Sequence, residues 1–487
     1  METRKRDGKK GQAYNPYLPL WEHVPDGEPH VFGDRVYIYG SHDRSHGTTF
    51  CMEDYVCWSA PVEDLSDWRR EGMIFRKSDD PNNRGPVGYL YAPDVAQGPD
   101  GRYYLYYFYT GDETRAYKIG VAVCDTPAGQ YQYYGTIEPD NGNSFLNFDP
   151  AVFVDDDGRV WLYYGSAFQM GGKVFTVLGG AVVELDRDMK TVLTKPKLTI
   201  PNILHQKGSS FSGHAFFEAS SMRKVNGKYY LIYSSMLSHE LCYGVAERPD
   251  GPFTFGGTIV SNGDVGLGGR GKKEAVAPTG NNHGSIVEID GQWYVFYHRH
   301  TQGSSYARQG CAEPIAFDEK GRIAQAEITS CGLNGGPMRA AGTYPAAICC
   351  NLFETKNLKK SSASVCVDEE REDQETISFI SNMKNGSVAG YKYFAFGGNC
   401  RLTLRARVSL KDCSDFETLS PYKCKAEGKI LVSTEPDGKP VASMDFRSAA
   451  GDWEEYSCEL HLSGRQALFF RYQGTGAVDI REIAFDR

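Results

Sequence analysis

Three acidic residues stand at the starts of strand-like segments that lie far apart along the chain: Asp26, Asp149 and Glu218. Carboxylates close to one another repel and raise one another's pKa, which destabilises the folded protein. A cluster of them is therefore expected mainly where catalysis requires it. One carboxyl group can protonate a leaving oxygen while another activates a water molecule, which is what glycoside hydrolysis requires. If the fold brings these three residues together, the sequence predicts acid–base hydrolysis.

A repeated pattern indicates how the fold could do so. Each copy has a polar or acidic residue, a short apolar strand, a turn of the Asp-Gly or Asn-Gly type, and an aromatic strand. Such turns tolerate positive φ and join two strands into a hairpin. The pattern occurs five times, at intervals of 55 to 69 residues, with marker residues Asp26, Asp94, Asp149, Glu218 and His283.

About four strands fit into each repeat, which predicts an all-β chain whose first domain, residues 14–345, is a five-bladed β-propeller. Strands that begin the blades of a propeller surround its central axis, so the three acids should meet at one mouth of the channel. Residues 311–329 are expected to close the last blade, and residues 336–347 to form a linker. We expect three other acids to serve turns only: Asp94, Asp100 and Asp157.

The remainder of the chain changes character. Short alternating strands and tight turns follow a cluster of charges, Asp368–Glu375. This pattern is typical of a β-sandwich, predicted here for residues 351–487.

Composition limits the classes of function. The net charge is −9 and no segment concentrates positive charge, which argues against a nucleic-acid partner. No apolar run is long enough to cross a membrane.

The 13 cysteines have no metal-binding spacing and predict mostly reduced thiols, a few disulfides being the alternative. Reduced thiols, together with N-terminal residues that do not read as a secretory signal, favour a cytoplasmic enzyme acting on imported oligosaccharides. The glycine-rich stretch Gly266–Gly271 lacks the strand–helix context of a phosphate loop, and no organic cofactor is expected.

Several motifs together resemble glycoside hydrolase family 43. They are Ser41-His42-Asp43, YAPDV (91–95), FDPAVFVDDDGRVWLYYG (148–165), FFEASSMRKVNGKYYLIYS (216–234) and NNHGSIVEIDGQWYVFYHRH (281–300). The resemblance covers residues 14–345 and implies a five-bladed propeller with an oligosaccharide substrate. It implies an inverting, exo-acting hydrolase of the α-L-arabinofuranosidase or β-xylosidase type. An enzyme acting on arabinan or galactan and a non-catalytic glycan-binding propeller are the alternatives.

The resemblance also assigns catalytic roles. Glu218 matches the general acid, and Asp149 matches the acid that tunes its pKa and orients it. The base is either Asp26 or Glu28, because this chain has Asp26-Gly27-Glu28-Pro29 where the family usually has Asp-Pro. A gapless register back from the Ser-His-Asp motif favours Asp26.

Further residues are implied by the same resemblance. Arg308 matches an arginine that reaches the sugar subsite and the base. Tyr91 replaces the tryptophan more usual in the family and is expected to stack on a sugar face. His42 and Asp43 are expected to line the pocket, and His283 is expected to hold one structural calcium ion together with water. A single imidazole would be an unusual calcium ligand set.

The C-terminal region loosely resembles carbohydrate-binding module family 6. Tyr391 and Trp453 stand where that family places its ligand-flanking aromatic residues, and Asp479 takes the place of a frequent asparagine. Aromatic faces with one polar group suit sugar stacking. A sandwich that only braces the propeller is the alternative.

Overall fold

The computed structural model describes residues 11–83, 88–110, 119–137, 145–170, 173–354, 363–369, 376–411, 424–449 and 451–486. Five antiparallel sheets follow one another along the chain as the blades of a propeller, and a ten-stranded sheet forms the C-terminal domain. The predicted all-β fold, a five-bladed propeller followed by a sandwich, is confirmed. None of the helices in the described ranges is long and apolar enough to cross a membrane.

Each of the first four blades is a four-stranded meander in chain order. Blade 1 contains β1 (Glu28–Phe32), β2 (Arg35–Tyr39), β3 (Tyr55–Pro61) and β4 (Arg69–Phe75). Blade 2 contains β5 (Tyr89–Gln97), β6 (Tyr103–Thr110), β7 (Ile119–Cys124) and β8 (Gln132–Ile137). Blade 3 contains β9 (Phe145–Val154), β10 (Val160–Met170), β11 (Lys173–Leu185) and β12 (Lys197–Pro201). Blade 4 contains β13 (Phe216–Val225), β14 (Lys228–Ser235), β15 (Glu240–Ala246) and β16 (Thr254–Ser261).

The fifth blade differs from the prediction of four strands. It has three, β17 (Ile286–Ile289), β18 (Gln292–His300) and β19 (Arg308–Ile315). Of the residues expected to close it, 311–315 do so as part of β19, whereas the later ones run to blade 4, where Ala326 bridges Val260. The N-terminal segment lies along β19, since the Tyr17 N–H donates to the Gly310 carbonyl at 3.3 Å. The two ends of the propeller are thereby joined.

The predicted hairpin turns explain the repeated pattern. Asn226-Gly227 joins β13 to β14 with φ values of 50° and 77°, and Asp290-Gly291 joins β17 to β18 with 49° and 77°. Two successive residues with positive φ form the turn whose twist suits two adjacent antiparallel strands. The first strands of neighbouring blades contact one another, β1 with β5 and β17, and β9 with β5 and β13. Residues at the starts of these strands therefore surround one axis.

The C-terminal sheet begins earlier in the chain than predicted. Its strands are β20 (Met338–Arg339), β21 (Gly342–Pro345), β22 (Asn351–Glu354), β23 (Ser364–Glu369), β24 (Thr376–Lys384), β25 (Ser387–Val408), β26 (Ala426–Ser433), β27 (Ala442–Ser448), β28 (Glu454–Thr475) and β29 (Ala477–Asp486). The expected linker supplies β20 and β21, which pair with β25 and β29. The sandwich therefore includes residues assigned by sequence to the propeller and linker.

Short 3₁₀ helices complete the described structure: Lys77–Asp79, Asn262–Asp264, Leu267–Gly269, Lys272–Glu274, Gly332–Asn334 and Ala346–Ile348. The two domains share one apolar cluster, in which Phe353, Val388 and Phe469 pack with residues of blades 4 and 5. At the same junction the Lys392 ammonium group lies 3.0 Å from Asp264 and 2.9 Å from Glu327.

Most described cysteines have free thiols, and most of these are buried. Cys424 is disulfide-bonded. The prediction of mostly reduced thiols therefore agrees with the described cysteines, with Cys424 as an exception.

Candidate active site

The fold brings together the three acids that the sequence singled out. Asp26 precedes β1, Asp149 lies on β9 and Glu218 lies on β13. His283 Nδ1 is 4.0 Å from both Asp26 Oδ1 and Asp149 Oδ2. Asp149 Oδ2 also accepts a hydrogen bond of 2.9 Å from the backbone N–H of Ala219, the residue after Glu218. Three distant blades thus contribute to a single acidic site.

Backbone irregularities place these side chains. Asp26, Asp149 and Ala219 have φ values of 56°, 49° and 69°, in the left-handed region that residues with a side chain seldom adopt. The pairing register shifts on both sides of Glu218, between β13 and β14. Bulges of this kind redirect side chains and are frequent beside active sites.

Arg308 joins the first acid to the Ser-His-Asp motif. Its Nη1 donates to Asp26 Oδ1 at 2.9 Å, while Nε and Nη2 donate to Asp43 at 2.9 and 3.0 Å. Burial alone would raise the pKa of Asp26, but the charge of Arg308, the largest opposing effect, holds it well below its usual range. Asp26 is therefore ionised.

The pKa values of the other two acids, Glu218 and Asp149, are shifted in the opposite direction. Burial, followed by the charges of Asp149 and Asp26, raises the pKa of Glu218 well above its usual value. Burial also raises the pKa of Asp149, although the charge of His283 and the hydrogen bond from the Ala219 N–H act to lower it. The site therefore holds one ionised carboxylate beside a carboxyl group that keeps its proton, a pairing that suits acid–base catalysis.

Glu28 belongs to a different set of contacts. Its Oε2 accepts hydrogen bonds from Arg223 at 2.9 Å and from Ser221 at 3.1 Å. Burial and the charge of Asp94 raise the pKa of Glu28 to about 8, despite the opposing effect of Arg223. A carboxyl group protonated at neutral pH is a poor base, so the geometry favours Asp26 over Glu28.

Two of the predicted pocket residues serve as supports. Asp43 has a buried side chain, and both of its oxygens accept hydrogen bonds from Arg308. His42 directs its Nδ1 to the Asp54 carbonyl at 2.8 Å and its Nε2 to Glu22 at 2.9 Å. The prediction that Asp43 lines the pocket is wrong, because its side chain is fully buried, whereas the pocket-lining role of His42 stays a prediction.

Tyr91, the predicted sugar-stacking residue, belongs to the first strand of blade 2. It lies on β5, is partly exposed, and packs against Phe108 with ring centroids 5.5 Å apart. The partly exposed face remains a candidate for stacking on a sugar.

Sequence reasoning missed three residues of this site. The Phe50 ring lies 4.9 Å from the Arg308 guanidinium and meets Tyr306 edge to face at 4.7 Å. His298, on β18, lies 3.3 Å from Asp26 Oδ1. Phe50 and Tyr306 lie in loops outside the repeated pattern, which gave no signal for them. His298 lies near the end of a repeated aromatic strand, where the change from aromatic to polar residues could have indicated a functional position.

The two aromatic residues expected to bind sugar in the sandwich differ in exposure, since Tyr391 is buried and Trp453 is partly exposed. Tyr391 is completely buried and donates to the Ala346 carbonyl at 2.7 Å, so its predicted role in ligand binding is wrong. Trp453 has the Arg407 guanidinium 4.2 Å from its ring, and Asp479 accepts from Arg407 at 3.3 Å. Arg407 thus contacts both Trp453 and Asp479, and the sugar-binding role of Trp453 stays a prediction.

The predicted metal ligand His283 is buried and faces the acids through Nδ1. Among the described residues, two groups bring three potential metal donors together, His214 with Glu240 and Cys242, and Glu28 with His30 and Asp94. Neither contains His283. Since calcium prefers six to eight oxygen ligands, an ion at His283 would take nearly all of its ligands from water.

Comparisons with known proteins agree with this geometry. The model of Glycosyl hydrolases family 43 matches residues 20–323. A xylosidase/arabinosidase of Thermoclostridium stercorarium is 43% identical over 97% of this chain and 98% of its own length. Xylosidase/arabinosidase 43A of Humicola insolens is 32% identical over 63% of this chain and 98% of its own length.

Solved structures show the same relationship. A family 43 β-xylosidase/α-arabinofuranosidase from a compost metagenome, solved with xylotriose, has a TM-score of 0.52 at 28% identity. It covers 65% of this chain and 98% of its own. An arabinoxylan arabinofuranohydrolase of Bacillus subtilis shares the fold over 97% of both chains, with a TM-score of 0.50 at 20% identity. With its three acids gathered at the centre of five blades, this chain belongs to glycosyl hydrolases family 43 and is a glycoside hydrolase.

Proposed function

We propose that the enzyme is an inverting, exo-acting hydrolase that releases L-arabinofuranose or D-xylose from plant-type oligosaccharides. The observation that carries the proposal is the convergence of Asp26, Asp149 and Glu218, from three blades, on one buried site. The pKa of Asp26 is lowered there and that of Glu218 is raised, as a base and an acid require. The choice of sugar is supported by the Thermoclostridium stercorarium relative, which is named a xylosidase/arabinosidase and matches nearly the whole chain.

In the proposed reaction Glu218 donates its proton to the glycosidic oxygen as the bond to the anomeric carbon breaks. Asp26 accepts a proton from a water molecule, whose oxygen forms the new bond to the opposite face of that carbon. The sugar leaves with inverted configuration. Glu218 is then ionised and Asp26 protonated, so exchange of one proton with solvent restores both groups.

Asp149 and Arg308 support opposite ends of this transfer. The negative charge of Asp149 helps to keep Glu218 protonated, and its bond to the Ala219 N–H fixes the backbone beside Glu218. Arg308 keeps Asp26 ionised and holds one of its oxygens in place. The other Asp26 oxygen is the proposed acceptor of the proton from water.

A structural calcium ion on His283 is also proposed, with water supplying its remaining ligands. Support comes from the family resemblance and from a solved relative described as a calcium-free form. Bound near Asp26 and Asp149, the cation would add positive charge to an acidic site. The reaction above does not depend on it.

We further propose an intracellular location. The many free thiols among the described cysteines support a reducing compartment, whereas the disulfide at Cys424 does not. Fractionation of native cells followed by immunodetection tests this proposal. Protein found only outside the cell would contradict it.

One panel tests the reaction and the choice of sugar together. Wild type and Glu218→Gln are compared on aryl α-L-arabinofuranoside, aryl β-D-xyloside, a disaccharide of the same pentose, arabinan and galactan. The proposal expects wild type to cleave one or both pentosides. Because an aryl leaving group needs little protonation, Glu218→Gln should retain more activity on the aryl pentosides than on a matching disaccharide. Cleavage of arabinan or galactan alone would favour those alternatives, and binding without any cleavage would favour the non-catalytic propeller.

A further inference from the structure

His298 lies at the end of β18 and is completely buried beside Asp26. Its two ring nitrogens face different partners. Nε2 is 2.9 Å from the backbone carbonyl oxygen of Asn281. Nδ1 is 3.4 Å from the backbone nitrogen of Asp26 and 3.3 Å from its Oδ1. One imidazole nitrogen thus faces both the main chain and the carboxylate of a single residue.

The partners determine where the ring carries its hydrogen. A carbonyl oxygen only accepts, so Nε2 must be the donor in its contact with Asn281. Burial lowers the pKa of His298, which favours the neutral ring. In a neutral ring with hydrogen on Nε2, Nδ1 has a free lone pair that can accept the N–H of Asp26.

The Asp26 backbone needs such a partner. Its φ of 56° is unfavourable for a residue with a side chain and persists only where the surroundings enforce it. Arg308 holds the carboxylate from one side, through Nη1. His298 contacts the backbone nitrogen of the same residue. The two contacts together fix the main chain and the carboxylate of Asp26.

We propose that His298 is a positioning residue for Asp26, which in its Nε2–H tautomer accepts the Asp26 backbone N–H and sets the direction of the carboxylate. This inference rests on the proposed function, in which Asp26 is the base. Arg308 supplies the charge that keeps Asp26 ionised, whereas His298 supplies geometry. Loss of His298 should therefore lower kcat much more than it changes KM.

Two substitutions separate the contacts of the two nitrogens. In His298→Asn the amide group can reach the place of Nδ1 and keep an acceptor for Asp26. In His298→Gln the amide group reaches the place of Nε2 and keeps the contact with Asn281 instead. His300→Gln is a control on the same strand, since His300 Nε2 contacts the Asn281 side chain at 2.8 Å.

The measurements are kcat and KM on the pentoside that wild type cleaves, with Tm for each variant. We expect His298→Gln to lose about 100-fold in kcat, which is the cost of a small displacement of a catalytic group. His298→Asn should recover most of that loss, and KM should change little in both. Equal kcat in the two His298 variants, or an equal loss in His300→Gln, would overturn the inference.

A measurement on wild type keeps the inference testable if these variants do not fold. Selective ¹⁵N labelling of the 11 histidines allows long-range ¹H–¹⁵N correlation spectra to report which nitrogen of each neutral ring is protonated. A buried ring with hydrogen on Nε2 that does not titrate is expected for His298, assigned by its loss in either variant or by site-specific labelling. Hydrogen on Nδ1 would overturn the inference. Wild type that cleaves no glycoside would instead defeat the proposed function.

Discussion

Arg308 Nη1 lies 2.9 Å from Asp26 Oδ1, and both side chains are buried at the centre of the propeller. The same guanidinium group is held by Asp43 in a two-point contact. A buried arginine of this kind keeps a neighbouring carboxylate ionised and fixed in direction. The proposed base and its partner therefore form one unit, although 282 positions separate them in sequence.

The first prediction distinguishes the two candidate bases. Asp26→Asn should lower kcat by about 10²–10⁴-fold, the usual contribution of a general base. Glu28→Gln should stay within a few-fold of wild type, because the Glu28 carboxyl group is directed to Arg223 and Ser221 and its pKa is raised to about 8 by burial. Steady-state kinetics on an aryl pentoside provide the measurement. A larger loss in Glu28→Gln than in Asp26→Asn would reverse the assignment.

The second prediction concerns pH. Glu218 must be protonated to act, so activity should fall as pH rises through its raised pKa. Asp26 must be ionised, and its lowered pKa places the acidic loss of activity at unusually low pH. Asp149→Asn removes a charge that raises the pKa of Glu218, and the alkaline limb of kcat/KM should move to lower pH. An unchanged or upward-shifted limb in this variant, measured against wild type, would contradict the coupling.

The third prediction concerns calcium. If His283 holds a structural ion, elemental analysis should find about one calcium per chain, and chelation should lower Tm with recovery on adding calcium. His283→Ala should lack both the metal and the response to chelator. Purified wild type without metal, and with the same Tm in chelator, would refute the proposed site.

The fourth prediction concerns the sandwich. Trp453 packs on Arg407 and meets Phe379 at 5.6 Å, which suggests a stabilising role. Trp453→Ala should cost about 2 kcal/mol of stability, part of the penalty for removing a fully buried tryptophan. Retention on xylan in affinity electrophoresis should not change. Lost retention with unchanged stability would support the sugar-binding assignment.

The fifth prediction concerns the junction between the domains. Lys392 is buried and paired with Asp264 and Glu327. Lys392→Ala should destabilise the protein by about 3–5 kcal/mol, since it leaves buried acid without a partner. Denaturant unfolding of Lys392→Ala, Asp264→Ala and the double variant measures the coupling. Additive losses would show that the contact contributes little.

The sequence was sufficient to predict the propeller and the three acids, because hairpin turns and aromatic strands recur with each blade. It could not choose between Asp26 and Glu28 on physical grounds. That choice depends on Arg308 and Arg223, which come from other blades and pair with different acids. The left-handed backbone at Asp26 and Asp149 has no comparable signal, since neither position is a glycine.

Errors at other positions have a similar cause. Tyr391 has a residue type that suits sugar binding, but its exposure depends on packing between distant strands. Asp43 follows the first hairpin as expected, yet it turns its polar atoms to a partner within the protein. Residue type and local pattern predict where a chain segment lies, whereas long-range contacts decide which atoms face the substrate.

The most direct test of the account is the configuration of the sugar when it is first released. Proton NMR recorded within the first minutes of hydrolysis of an aryl pentoside, before mutarotation, identifies the anomer. With Asp26 activating water and Glu218 protonating the leaving oxygen, the account predicts the anomer opposite to that of the substrate. Initial release of the same anomer would contradict it, because retention requires two successive displacements at the anomeric carbon instead of one direct attack by water.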